Sequence, residues 1–92
     1  MLTLPIKKKW FDMIASGKKT EEYRTIKPYY EKRFSRYGID VPFELRLRAG
    51  YAKTSPLMEC LVSVKISTGK PKWGAIPNVE YFTLTILNVR LY

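Results

Sequence analysis

Apolar side chains along this chain recur with two spacings, one helical and one alternating, and the changes between them mark its elements. The opening Leu2-Thr3-Leu4-Pro5-Ile6 reads as a short strand ending at Pro5. Ile6, Trp10, Met13 and Ile14 then recur at helical spacing, with Lys7, Lys8, Lys9 and Asp12 mostly outside that stripe. Gly17 stops the helix, because glycine accepts the left-handed conformation that closes one. Thr20 to Ile26 alternates and predicts a strand. Pro28 suits the first turn of a second helix, along which Tyr30, Phe34 and Tyr37 form an aromatic stripe until Gly38. From Val41 the period becomes two. Phe43, Leu45 and Leu47 form one apolar face, Met58, Cys60, Val62, Val64 and Ile66 a second, and Phe82, Leu84 and Ile86 a third, within a final strand from about Tyr81 to Tyr92. Ser67 to Asn78, rich in Gly and Pro, predicts the loop between the last two strands.

The order is strand, helix, strand, helix, then three strands. Two short helices cannot cover both faces of a five-stranded sheet. A sheet curled into a small barrel, with the helices closing its ends or one side, resolves that burial problem. The expected fold class is therefore α+β, a small β-barrel of about five strands with two short helices. Ninety-two residues suffice for one domain, spanning 1–92.

Charge changes the picture more than composition does. Seventeen Lys and Arg against eight Asp and Glu give a net charge of +9, which favours a polyanionic partner. Residues 1–38 hold ten basic and four acidic groups, so the positive field is weighted to that half. No apolar run approaches the length that crosses a bilayer, so no membrane partner is expected, and the reading is of a soluble cytoplasmic protein. With no histidine, catalytic triads built on it are excluded. A single cysteine, Cys60, makes no internal disulfide and, with no histidine, comes close to excluding a structural zinc site. No cofactor is called for.

The chemistry concentrates in Gly17-Lys-Lys-Thr-Glu-Glu-Tyr-Arg24. On a strand, Glu22 and Arg24 share one face and Glu21, Tyr23 and Thr25 the other. Tyr23 is the natural packing residue, which predicts Glu22 and Arg24 outside, beside a barrel opening and next to Lys19. A carboxylate can accept from a base amino edge or act as a general base, a guanidinium grips phosphate or a carbonyl edge, and a partly buried lysine gives up a proton readily. The bland alternative is an exposed ion-pair ladder worth about 0–1 kcal/mol.

These eight residues fit G-x-K-x-x-E-x-R on Gly17, Lys19, Glu22 and Arg24, directly after an amphipathic helix. In this setting the chain resembles the ASCH domain family, in particular its small phage-associated branch, whose fold is related to the PUA RNA-binding domain. Leu47 to Cys60 and Gly69 to Gly74 resemble further elements of that branch, so the similarity spans nearly the whole chain. The resemblance implies a PUA-like barrel and a cleft lined by Lys19, Glu22 and Arg24 that binds RNA, a nucleotide or a nucleoside. Some members of the family are amidohydrolases acting on N4-acetylcytidine, and others are described as ribonucleases. The hydrolases are expected to use the motif lysine, a threonine at the position of Glu22 and a distant glutamate. Here that position is Glu22, with Glu59 and Glu80 the candidates for the distant acid.

A second candidate group is Arg46-Leu-Arg48-Ala-Gly50-Tyr51-Ala-Lys53. Two guanidinium groups and a ring beside a glycine bend suit a phosphate and a stacked base, with Arg48, Tyr51 and Lys53 the better placed. Trp73 reads as a loop anchor, Lys7 to Lys9 as a solvated helix end, and Tyr29 and Arg33 as residues on the flank of the second helix that could face a ligand. The leading expectation is a binding module for RNA or a nucleotide, with Arg24, Arg48, Tyr51 and Lys53 as ligand-binding residues. The alternative is an enzyme using Lys19 and Glu22 as its catalytic pair, and a third reading is a basic accessory protein whose charge serves a protein partner.

Overall fold

A computed structural model describes residues 1–91, so Tyr92 at the end of the predicted last strand lies outside the described residues. Among these, five strands and two helices follow in the order expected from the periodicity. They are β1 (Thr3–Pro5), α1 (Lys8–Ala15), β2 (Glu21–Thr25), α2 (Pro28–Phe34), β3 (Phe43–Arg48), β4 (Leu57–Thr68) and β5 (Glu80–Leu91). The strands form one sheet in the order β1-β3-β4-β5-β2, curled into a half-barrel. All pairings are antiparallel except β1 with β3. The fold class is α+β, as the burial argument required.

The curl comes from the long β4–β5 ribbon. Its register shifts between Leu61, opposite Asn88, and Val62, opposite Ile86, which leaves Leu87 as an extra residue. A bulge of this kind bends the strand that carries it and increases its twist. The concave face holds Leu45, Leu47, Met58, Cys60, Val62, Val64 and Leu84, all essentially inaccessible. Helix α1 adds Phe11 and Ile14, α2 adds Phe34, and Ile6 packs from the link between β1 and α1. Trp10 and Met13, expected within the stripe of the first helix, are only partly buried. The helix begins at Lys8 rather than Ile6, so its buried side is set by Phe11 and Ile14.

Curling without closure leaves two edge strands, β1 and β2, with no pairing between them. The short link Ile6-Lys7 carries the chain from β1 into α1, and Ile26-Lys27 carries it from β2 into α2. The seam between the edges is thus flanked by both helices.

Candidate functional site

Strand β2 decides which residues reach the seam. Its register places Glu22 opposite Leu84 and Arg24 opposite Phe82, both on the core face of β5, while Tyr23 lies opposite Thr83. Glu22 and Arg24 therefore point into the concave side, and Tyr23 points away from it. This reverses the expected facing of the strand. Tyr23 instead packs beside Tyr81, accepts a hydrogen bond from the Lys70 N–H and donates one to Glu21 Oε1. Burial raises the pKa of its hydroxyl.

The three motif residues are almost fully enclosed, with Lys19 1 % exposed, Glu22 7 % and Arg24 8 %. Glu22 stands between the two cations. Its Oε1 accepts from Lys19 Nζ at 2.7 Å and its Oε2 from Arg24 Nη2 at 2.7 Å. Lys19 Nζ also donates to the Glu21 carbonyl and lies 5.4 Å from the Trp10 ring centroid and 5.3 Å from that of Tyr23. Burial pulls the Lys19 ammonium below its usual pKa, an effect partly offset by Glu22. Such an arrangement is not a solvated ladder. Buried charges persist only where partners compensate the lost hydration.

Arg24 also spans the seam. Its Nη2 donates to the Pro5 carbonyl of β1 at 2.9 Å, and its Nη1 donates to the Tyr30 hydroxyl of α2 at 3.2 Å. One side chain thereby ties the two unpaired edges and the second helix together. Its buried Nε has no hydrogen-bond partner among the described residues. An unanswered N–H donor in a buried guanidinium is costly unless something supplies an acceptor.

A cleft of about 300 Å³ opens over this point. Glu22 and Arg24 contribute to its wall, Trp10 and Tyr30 line it from α1 and α2, and Lys7 and Lys27 line it from the two links. Tyr30 is set by stacking on Phe34 and by an edge contact with Tyr29. Trp10 lies against the loop after β4, where Gly74 (φ +96°) leaves room for it; a Cβ there would come within 3.2 Å of the indole. Trp73 is buried and anchors that loop.

Lys19 does not line this cleft, and its side chain has no exposed surface. The second candidate group lies apart from the motif. Arg48 Nη1 donates to the carbonyls of Ala52 at 3.1 Å and Lys53 at 2.8 Å, so it braces its own loop. Lys53 is exposed and lines neither the cleft nor the neighbouring cavity, whereas Tyr51 lines that neighbour. Glu59 is held between Arg46 and Arg90 and does not line the cleft; Glu80 is exposed at the start of β5. Trp10, Tyr30, Lys7 and Lys27 were not singled out as ligand residues from the sequence. The available signal was a lysine three residues before an aromatic at the start of each helix, Lys7 before Trp10 and Lys27 before Tyr30.

Among the described residues no cluster of metal-ligating side chains occurs, and no helix is long and apolar enough to cross a membrane. Comparison with protein-family models, curated proteins and solved structures yields no significant match.

Proposed function

We propose that this domain binds RNA, taking one nucleotide in the cleft between its edge strands. The observation that carries the reading is the company Arg24 keeps. A guanidinium, a carboxylate paired with it, two aromatic rings and two flanking lysines share one cleft. Glu22 can accept from a base amino group, the part of Arg24 that lines the cleft can donate to a ring nitrogen or carbonyl, and Trp10 or Tyr30 can stack on the base face. Lys7 and Lys27 suit the phosphate. Recognition of single-stranded RNA uses these elements together: a splayed base, a ring to stack on and hydrogen bonds to the base edge. The net charge of +9 supports the same reading by attracting a polyanion. The resemblance of Gly17 to Arg24 to the ASCH motif points the same way.

The amidohydrolase and ribonuclease alternatives draw no comparable support. Lys19 is committed to Glu22 and the Glu21 carbonyl, away from the cleft, so it is poorly placed to exchange a proton with a substrate.

Titration of the protein with the four ribonucleoside 5′-monophosphates, followed by isothermal calorimetry, tests the proposal. Trp10→Ala is expected to weaken the best of them about tenfold, the loss associated with removing one stacking ring. Arg24→Gln is expected to weaken it at least as much while circular dichroism still reports a folded chain. Unchanged affinity in Trp10→Ala would remove the cleft from consideration.

A further inference from the structure

A second cavity, also of about 300 Å³, adjoins the cleft and shares Pro5, Ile6 and Lys7 with it. Its remaining wall comes from Lys8 and from Ala49, Gly50 and Tyr51 in the loop after β3. The two cavities thus lie on either side of one short segment, the end of β1 and the link into α1. Lys7 borders both.

The loop that carries Tyr51 is firmly tied. Besides the two bonds from Arg48, the Ala49 N–H donates to the Pro56 carbonyl at 2.9 Å and the Ser55 N–H to the Ala52 carbonyl at 3.0 Å. Gly50 makes the bend at φ +122°, and a Cβ there would come within 2.9 Å of Ser55 Oγ. Yet Tyr51, at the tip of this braced turn, is 90 % exposed. A ring normally gains by covering apolar surface. This one stands free on a backbone whose geometry is fixed by other residues, at the mouth of a cavity walled by Pro5, Ile6 and Ala49. That is the form of a stacking platform: an accessible ring on a backbone fixed in advance, so that binding orders only the side chain.

From this juxtaposition we infer that the ligand is a single strand of at least two nucleotides, with one base in the seam cleft and its neighbour on Tyr51. The backbone joining them crosses the Pro5–Lys7 saddle, where Lys7 meets the intervening phosphate. The inference rests on the nucleotide reading of the cleft and adds its polarity of extent: the strand leaves towards the loop after β3, not along α2. Arg48 contributes as a positioning residue, by holding the Tyr51 loop, and not through the ligand.

The experiment compares the affinities of the four ribonucleoside monophosphates with those of a random-sequence RNA pentamer, a deoxy pentamer and a short RNA duplex. The single-stranded pentamers are expected to bind at least tenfold more tightly than the best mononucleotide. Tyr51→Ala should narrow that ratio about five- to tenfold, and Tyr51→Phe should retain it, because the ring and not the hydroxyl stacks. The duplex should gain nothing from Tyr51, since its bases are already stacked. A ratio that Tyr51→Ala leaves intact overturns the second subsite even though mononucleotides bind. Absence of binding by every mononucleotide and pentamer overturns the cleft reading as well. A preference for the ribo pentamer supports RNA as the strand, and a preference for the deoxy pentamer overturns the RNA reading even if the two-base subsite stands.

Discussion

Glu22 is the residue on which the buried charges depend. It is the shared partner of Lys19 and Arg24, so removing its charge strands two cations in a site from which water is largely excluded. Glu22→Gln is therefore expected to cost about 3–5 kcal/mol, the range for breaking a buried pair from one side. Lys19→Met removes an ammonium whose own burial is unfavourable and leaves Glu22 paired with Arg24, so it should cost less. Urea unfolding of the two variants checks the order, and a larger loss in Lys19→Met would contradict it. The pH dependence carries a sign of its own. Because burial lowers the Lys19 pKa in the folded state, the unfolded chain binds a proton that the folded chain does not between that lowered value and 10.5. The Lys19 contribution to stability should rise with pH across this window, and comparison with Lys19→Met isolates it.

At the scale of elements, β2 depends on what lies behind it as much as on its partner. Gly69, just after β4, faces the Tyr23 ring: a Cβ there would lie 2.8 Å from Tyr23 Cε1 and 2.6 Å from Ala75 Cβ. Gly69→Ala is expected to destabilise by about 1–3 kcal/mol, as overpacking does, and to loosen the strand that carries Glu22 and Arg24. Thermal unfolding reports the first effect and reduced amide protection across residues 21–25 the second. The same strand shows where sequence reading reached its limit. Long alternating runs such as Met58 to Val64 declare both their type and their buried face, because a central strand repeats the signal several times. Glu21 to Thr25 is an edge strand of five residues, and its most apolar member is Tyr23. Alternation alone puts that tyrosine inside. What settles the matter is the register with Phe82 and Leu84, a long-range pairing that no local pattern contains. The motif itself was legible, since Lys19, Glu22 and Arg24 do come together. The cleft was not, because it is lined by Glu22 and Arg24 without Lys19, and its aromatic walls come from two helices whose relation depends on how the sheet curls.

For the whole molecule, the proposed RNA binding would draw separable contributions from the excess of positive charge and from the shaped cleft. Charge acts through released counterions, so its share of affinity falls with salt by a slope of about 0.7 per contacted phosphate on a single strand. Stacking and base-edge hydrogen bonds release no counterions and leave that slope alone. Lys7 and Lys27 border the cleft, and Lys7 also borders the Tyr51 cavity, whereas Trp10 is uncharged. For an RNA pentamer, Lys7→Ala is thus expected to make the plot of log affinity against log salt shallower by about 0.7, with its largest loss at low salt. Trp10→Ala should lower affinity by a similar factor at every salt concentration. Filter binding from 50 to 300 mM potassium chloride distinguishes the two patterns. If Lys7→Ala instead gave a parallel displacement of the line, the saddle would hold no phosphate, and the net charge of +9 would be acting only as a diffuse field over the surface. The two patterns cannot be exchanged by a change in overall stability, because unfolding lowers affinity without altering which contacts the remaining folded molecules make.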